Sequence, residues 1–450
     1  MIEDDFYRTS SQYRLWSFTT ASLQAQRATT NAVASDRVRA AIRRAQEARR
    51  SATSSATGTP VPEVDGNAST PNPAKGDEKA IECLTPEEEQ QTVSYYCEQI
   101  IQLGEAYKPP LPTIVRATAI QYLRRFYLTN SPMTYHPKQI MPCALFLATK
   151  TDNYYMSLRH FADGVPGDTT AEDIIAPEFL VMQSLRFTFD VRHPFRGLEG
   201  GIMELQALAA GQGPPAPHLA HTHTPESLQR GLLALPPPPP NATSTSTSAS
   251  SVTDRIARAH HHTREILKSA AQITDVYFLF TPAQIWLAAL RLADPPLAEY
   301  YLDTKLGGGG GGGHRPAQPS GGATPENDVL AVLRPKLLRT LTDCAAMLQA
   351  YKPLASDPDQ MKTLRRIIGK KLYHCQNPEK VNLGGGAQKR IPAAALAAAA
   401  TTTTGGVDSG ASESEMERLA KKRKLENAAE HSGSKDIFGG ELVMQRTKER

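Results

Sequence analysis

The sequence predicts an all-α protein built from two tandem copies of one helical unit. Two long stretches, from Leu84 to Phe189 and from Thr253 to about residue 375, space their apolar residues with the period of a helix. No segment alternates between apolar and polar residues as a half-buried strand does. One helical segment of the first stretch also recurs in the second, which indicates an internal repeat.

Caps and prolines mark the helix starts in the first stretch. Thr85 is a predicted N-cap, Pro86 fits the first helical position, and the glutamates at 87–89 suit the positive end of the helix dipole. The next helix, "TIVRATAIQYLRRFYL", is apolar on most sides, which predicts a buried central position. Pro137 starts a third helix, and "TAEDIIAPEFLVMQSLRFTF" supplies the last helical turns. A domain of about a hundred residues is large enough to bury a core.

The repeat is clearest in the third helix. The segment "PKQIMPCALFLA" at 137–148 aligns with "PAQIWLAALRLA" at 282–293, and seven of the twelve positions are identical. Just past the match, the first copy has Lys150 where the second has Pro295. A lysine that served only the scaffold would be expected in both copies. We therefore expect Lys150 to make a contact that is specific to the first copy.

Segments of biased composition flank and interrupt the two copies. Residues 10–50 predict one long basic helix, and Val38 and Ile42 allow either a narrow apolar stripe or a fully solvated helix. The other segments are rich in Ser, Thr, Pro or Gly, which predicts disorder. The expected organisation is an N-terminal arm and helix at 1–50, a disordered linker at 51–79, a first unit at 80–190, a second unit at 191–375 with disordered insertions at 211–253 and 307–325, and a disordered tail at 380–450.

The composition excludes several classes of protein. The formal net charge of +4 is small for 450 residues and does not by itself indicate binding to nucleic acid or to an anionic membrane. The N-terminus does not resemble a signal peptide, and no apolar run is long enough to span a bilayer. The five cysteines are odd in number and never spaced as CxxC, which predicts reduced thiols inside the cell and neither a disulfide framework nor a zinc site.

A carboxylate is expected on an otherwise apolar helical face. Glu178, Met182, Leu185 and Phe189 fall on one side of a helix, and an unpaired carboxylate there would be unfavourable. Lys150 ends a neighbouring helix and can pair with Glu178. Two interpretations stay open at this point: a salt bridge at the rim of the domain, worth about 0–1 kcal/mol, or two groups that together bind the backbone of another protein.

One long segment resembles a known family. The residues "KPPLPTIVRATAIQYLRRFYLTNSPMTYHPKQIMPCALFLATKTDNYY" look like the first box of the cyclins, and with the arm "SSQYRLWSFT" the chain resembles the fungal cyclin H branch. The resemblance extends over 1–30, 84–205 and 254–375. It implies an all-α fold of two tandem cyclin boxes of about five helices each, flanked by N- and C-terminal helices. It also implies that a kinase binds to Lys150, Glu178, Met182, Phe187 and Phe189.

The resemblance implies a function for the whole chain. A cyclin of this branch binds and activates a cyclin-dependent kinase of TFIIH, which phosphorylates the RNA polymerase II tail and other cyclin-dependent kinases. The implied protein is a nuclear regulatory subunit and not an enzyme. Its further partners are an assembly-factor third subunit and the TFIIH core. No cofactor is expected, and neither is direct contact with nucleic acid or with a membrane. The alternatives are a cyclin of another transcriptional kinase and a TFIIB-like DNA-binding factor with two cyclin repeats.

Several other motifs have simpler interpretations than a functional site. The glycine run at 307–313 lacks the GK[ST] ending of a phosphate-binding loop and predicts a flexible insertion. The histidines at 218–223 and 260–262 have no cysteine or acidic residue at metal-ligand spacing. Pro142 should kink the third helix locally. A basic run in the tail predicts a nuclear import signal, formed by Lys421, Lys422, Arg423 and Lys424.

Overall fold

The computed structural model describes residues 7–56, 82–237, 251–307 and 325–380. Within these ranges the chain forms helices and connecting turns and contains no strand, so the all-α prediction is confirmed. No helix in the described part is both long and apolar enough to cross a bilayer. The chain divides into two compact units, one of Met1–Ala34 with Thr85–Leu364 and the other of Ser35–Leu84 with Arg365–Arg450.

Residues 11–56 form two helices instead of the predicted single one. Helix α1 spans Ser11–Trp16 and α2 spans Thr20–Ala56. The chain is extended between them because the backbone N–H of Phe18 donates to the carbonyl of Phe278 at 2.8 Å, a contact with a distant segment. Helix α2 continues into the predicted linker at 51–79, since no proline or glycine interrupts the sequence before residue 58. The rest of that linker lies outside the described residues.

The first copy of the repeat is a bundle around one buried helix. Its helices are α3 (Pro86–Ala106), α4 (Thr113–Thr129), α5 (Pro137–Thr151), α6 (Leu158–Gly164), α7 (Ala171–Ile175) and α8 (Glu178–Ser184). The predicted cap is present as a capping box, in which Thr85 Oγ1 accepts from the N–H of Glu88 and the Glu88 carboxylate accepts from the N–H of Thr85. Helix α4 is buried on most sides, as predicted, and Tyr122 and Phe126 have no exposed surface.

The second copy repeats the central element of the first. Its helices are α9 (Phe195–Ala209), α10 (Pro225–Leu233), α11 (Val252–Lys268), α12 (Ala270–Ile273), α13 (Val276–Leu279), α14 (Pro282–Ala293), α15 (Pro295–Leu306) and α16 (Pro325–Ala350). Helices α5 and α14 both begin at a proline, after the capping residues His136 and Thr281. Past α14, Asp294 caps α15 and binds the Arg255 guanidinium at 2.7 and 2.8 Å. The second copy has Pro295 at the position equivalent to Lys150, and there this residue begins a helix of the scaffold.

The predicted disorder of the insertion at 211–253 is wrong for its first part. Helix α10 buries Leu228 and Leu232, four residues apart, in the core of the second copy. Gln229 Nε2 also donates to the carbonyl of Ala209 at 2.9 Å. The polyproline run that follows obscured this short amphipathic pattern. Residues 238–250 of this insertion and 308–324 of the next lie outside the described part.

Leu228→Ala should lower the free energy of unfolding by about 2–5 kcal/mol, because it removes a fully packed side chain and leaves a cavity. The matched control is Leu233→Ala on the same helix, where the side chain is 57% exposed and little should change. Urea unfolding of both variants measures the difference. Equal effects of the two substitutions would contradict the packing of α10.

The second compact unit contains the end of α2 and the C-terminal helix. Beyond α16 the chain forms α17 (Pro358–Thr363), a π-helical turn (Leu364–Ile368) and α18 (Gly369–Gln376). Val38 and Ile42 of α2 are buried, so the narrow apolar stripe is present and the fully solvated helix is not. Leu372 and Cys375 of α18 are buried as well.

His193 joins the two copies of the repeat. One ring nitrogen lies 3.0 Å from Thr118 Oγ1 of the first copy, and the other lies 2.9 Å from the Tyr277 hydroxyl of the second. Burial, and then the positive charge of Arg125, lowers the pKa of His193 to about 3. The folded protein therefore holds this imidazole neutral, and the unfolded chain takes up a proton near the ordinary histidine pKa of about 6.5.

We expect stability to fall as the pH drops from about 6.5 toward 3, because protonation of His193 then favours the unfolded chain. One such group changes the free energy of unfolding by at most about 1.4 kcal/mol per pH unit. His193→Gln keeps polar atoms for Thr118 and Tyr277 but cannot titrate, so its stability should depend less on pH. Urea unfolding across this range tests the difference, and parallel pH profiles for both proteins would contradict it.

Candidate functional site

Lys150 and Glu178 form an ion pair at the surface of the first copy. Lys150 lies in the last turn of α5 and Glu178 in the first turn of α8, and these helices pack against each other. Lys150 Nζ lies 2.5 Å from Glu178 Oε1. The lysine side chain is 43% exposed and the glutamate side chain 16%. The sequence predicted this pairing of two helix ends.

The local surroundings fix the direction of Lys150. Its ammonium group lies over the ring of Phe146, one turn earlier on α5, at 4.7 Å from the ring centre. Position in the last turn also suits a cation, since the carbonyl end of a helix is negative. The ammonium has three N–H donors and Glu178 uses one of them. The pair can therefore offer both donors and acceptor lone pairs to a ligand.

The contribution of this ion pair to folding stability is too small to explain why both residues are present. A partly exposed lysine–carboxylate bridge contributes about 0–1 kcal/mol, because water competes for both charges. The second copy folds without an equivalent lysine, as Pro295 starts α15 at that point. The exposure of Lys150 and the absence of a counterpart both favour a role in binding.

Exposed aromatic side chains belong to the same helices and to the segments that follow them. Phe179 follows Glu178 directly and is 60% exposed, Phe187 follows the end of α8 and is 56% exposed, and their ring centres are 6.2 Å apart. Tyr155, five residues after Lys150, is 94% exposed. Clustered aromatic residues on a soluble domain indicate a binding surface more often than isolated ones do. We call Lys150, Glu178, Phe179 and Phe187 the pair surface.

The segment after α8 holds Phe187 outward in a strained conformation. Arg186 and Phe187 have φ angles of 54° and 53°, in the left-handed region that residues other than glycine avoid. Such strain costs about 1–3 kcal/mol per residue and persists only where the surroundings impose it. Here the N–H of Phe187 donates to the Met182 carbonyl at 3.0 Å, and Leu185 is completely buried.

The prediction that Glu178, Met182, Leu185 and Phe189 share one helical face is therefore wrong. Helix α8 ends at Ser184, and the left-handed residues turn the chain before Phe189. The Phe189 ring packs beside Tyr122, whose hydroxyl donates to the Phe189 carbonyl at 2.7 Å. Met182 and Phe189 are only partly exposed, whereas Phe187 is largely exposed. Phe179 and Tyr155 are exposed residues that the sequence did not single out.

The N-terminal arm packs against this strained segment through Trp16, which contacts Arg186 and Thr188. Trp16 of α1 is 1% exposed, and its indole N–H donates to Thr188 Oγ1 at 3.0 Å. The guanidinium groups of Arg186 and Arg125 lie over its ring at 5.6 and 5.1 Å. Gln12 also accepts from the N–H of Arg192 at 2.7 Å. The arm "SSQYRLW" thus helps to shape the pair surface, a role that the sequence did not indicate.

The remaining motifs add no second site within the described residues. No group of three or more His, Cys, Asp or Glu residues in that part is placed to hold a metal ion. In the histidine run, His260 lies 3.1 Å from a Glu199 carboxylate oxygen. Helix α5 continues through Pro142, the residue at which a local kink was predicted. The predicted import signal at 421–424 and most of the glycine run lie outside the described residues.

Two family models match the chain, and their order follows the two copies of the repeat. The cyclin N-terminal domain matches residues 78–190, and the cyclin C-terminal domain matches residues 193–349. Together these segments make up more than half of the chain. The chain belongs to the cyclin family. The two helical units of this cyclin are therefore its two cyclin boxes.

Individual relatives confirm the resemblance to cyclin H. Cyclin CCL1 of Saccharomyces cerevisiae is 29% identical over 307 residues, which are 67% of this chain and 62% of the yeast protein. Cyclin-H of Xenopus laevis is 34% identical over 128 residues, or 27% of this chain and 40% of that protein. The cyclin thus spans less than two thirds of the length of either relative.

A solved structure is also similar. It is a chain of the CAK complex of Chaetomium thermophilum, determined with bound ATP-γ-S. The match has 29% sequence identity and a TM-score of 0.56, and it covers 91% of this cyclin and 100% of that chain.

Proposed function

We propose that this cyclin binds and activates a cyclin-dependent kinase of TFIIH through the pair surface. The observation that carries the proposal is the exposed Lys150–Glu178 ion pair beside the exposed rings of Phe179 and Phe187. The family membership supports it, as does the likeness to a chain of a solved CAK complex.

The proposed mechanism is a shift of a kinase equilibrium. A protein kinase is active only when its strand-three lysine pairs with the glutamate of its C helix and its activation loop is ordered. A ligand that binds this arrangement more tightly than the inactive one increases the active fraction. Moving a kinase from 1% to 99% active requires about 5.5 kcal/mol of differential binding. An aromatic surface with a central charge pair can supply binding energy of this size.

The pair surface has suitable chemistry for a helix of the kinase. The unused N–H donors of Lys150 can bind backbone carbonyls, and the Glu178 carboxylate can accept backbone N–H groups. Helix ends present such groups without intrahelical partners. Phe179 and Phe187 can then cover apolar side chains and exclude water from the charged contacts.

The wider proposal covers substrates, partners and location. The bound kinase phosphorylates the RNA polymerase II C-terminal tail and other cyclin-dependent kinases. An assembly factor and the TFIIH core complete the complex, and the cyclin itself supplies no catalytic group. The basic residues at 421–424 direct it to the nucleus.

Affinity purification of the tagged full chain, followed by identification of bound proteins, tests the proposal. We expect a cyclin-dependent kinase together with an assembly factor of TFIIH. A different transcriptional kinase would overturn the assignment to TFIIH and leave a cyclin of another complex. Tight, salt-sensitive DNA binding without any kinase would instead favour the TFIIB-like alternative. ATP turnover by the isolated chain would contradict a purely regulatory role.

A further inference from the structure

Two cysteines that are far apart in the sequence meet in the second compact unit. Cys83 lies just before α3, and Cys375 lies in the last turn of α18. The Cys375 side chain lies within hydrogen-bonding reach of the Cys83 thiol. Cys83 Sγ also contacts the carbonyl of Ser35 at 4.0 Å. Neither cysteine forms a disulfide, so the contact is made by two reduced side chains.

A neighbouring ion pair holds the same two segments together. Lys371 Nζ lies 3.4 Å from the Glu82 carboxylate. Glu82 directly precedes Cys83, and Lys371 lies four residues before Cys375 on the same side of α18. Two adjacent pairs of side chains therefore hold the two segments together. The approach of the two thiols is part of this packing.

The five cysteines differ sharply in expected reactivity. The hydrogen bond with Cys375 is the main cause that lowers the pKa of Cys83 to about 6. Ser35 and Arg39 also lower this pKa, whereas burial raises it. Cys83 is also partly exposed. The other three cysteines are buried, and burial raises their pKa values to about 12; they are Cys97, Cys143 and Cys344. Only a thiolate with access to solvent reacts readily with oxidants.

We propose that Cys83 and Cys375 form a reversible disulfide when the protein is exposed to hydrogen peroxide. This goes beyond the proposed activation of a kinase, since neither cysteine belongs to the pair surface. The bond would join the segment that enters the first cyclin box to the C-terminal helix and so close the second compact unit covalently.

The chemistry balances with the peroxide as the two-electron oxidant. The Cys83 sulfur attacks the O–O bond and becomes a sulfenic acid, and the departing oxygen leaves as water after it takes up a proton. The Cys375 sulfur then attacks the Cys83 sulfur, and the hydroxyl leaves as a second water. Two thiol protons and two electrons have moved to the peroxide. A small dithiol reverses the bond by exchange.

Mass spectrometry of the full-length protein tests the proposal. The protein is treated with hydrogen peroxide, its remaining thiols are blocked, and it is digested with trypsin and a glutamate-specific protease. This double digestion places Cys83, Cys97 and Cys375 on separate peptides, because Glu89 lies between the first two. We expect a linked peptide that contains Cys83 and Cys375, and we expect dithiothreitol to abolish it.

Single substitutions provide the controls. Cys83→Ser and Cys375→Ser should each remove the linked peptide, whereas Cys344→Ser, which alters a buried cysteine of the second box, should retain it. Circular dichroism shows whether each variant remains folded. Oxidation of Cys83 to a sulfinic acid without linkage to Cys375 would overturn the proposal, and so would a peptide that links any other pair of cysteines.

Discussion

Replacing Lys150 with alanine should reduce kinase activation by about 30-fold or more at a fixed, subsaturating concentration of the cyclin. Loss of one partner from a charge pair that becomes buried in an interface costs about 2–5 kcal/mol, much of it because the remaining charge is left unpaired. Glu178→Ala and the double variant should behave similarly, since both groups serve the same contact. The measurement is the rate of substrate phosphorylation by the reconstituted complex.

The second box offers a matched control for this substitution. Lys305 lies 2.8 Å from Glu204 and 5.5 Å from the ring centre of Tyr301, so it also combines an ion pair with an aromatic contact. Its side chain is 43% exposed, as is that of Lys150. Lys305→Ala should leave activation near the wild-type level. Thermal melting of both variants should change little, because exposed pairs contribute about 0–1 kcal/mol to folding. An unfolded Lys150 variant would make the pair structural instead.

Replacing Trp16 with alanine should destabilise the protein by about 3–5 kcal/mol and also weaken kinase activation. The indole is buried with Leu23, Leu128 and Phe278, so its removal leaves a large cavity. It also removes the N–H bond to Thr188 that supports the strained segment next to Phe187. Urea unfolding measures the first effect, and the kinase assay measures the second.

Two further substitutions separate these effects of Trp16. Trp16→Phe keeps a buried ring and loses the hydrogen bond to Thr188, which should cost about 0.5–1.5 kcal/mol. Tyr13→Ala, at a 40% exposed position on the same helix, should change neither quantity appreciably. The kinase assay is run at a temperature at which every variant is folded. Full activation by folded Trp16→Ala would contradict the role of the arm in shaping the pair surface.

Local sequence signals determined much of the fold. Thr85 begins α3 with a capping box, and Pro137 and Pro282 begin equivalent helices in the two boxes. These features are visible in the sequence because caps and N-terminal prolines act within one turn. The Lys150–Glu178 pairing was also predictable, since an acidic residue next to apolar positions needs a partner.

Features that depend on distant contacts could not be predicted in the same way. The break between α1 and α2 has no glycine or proline and depends on the bond from Phe18 to the Phe278 carbonyl. Arg186 and Phe187 have no preference for left-handed backbone, so only the packing of Leu185 and Trp16 explains it. That turn exposes the Phe187 ring and places Phe189 beside Tyr122, away from the side that a continuous helix predicts.

The most direct test of the account is a titration of the isolated partner kinase with this cyclin, followed by phosphorylation of an RNA polymerase II tail peptide. Wild-type protein should raise the rate to a plateau, and the Lys150→Ala/Glu178→Ala variant should need a much higher concentration or reach a lower plateau. A rate that does not respond to the wild-type chain would contradict the proposed function. Superimposable titrations of the two proteins would contradict the assignment of the pair surface.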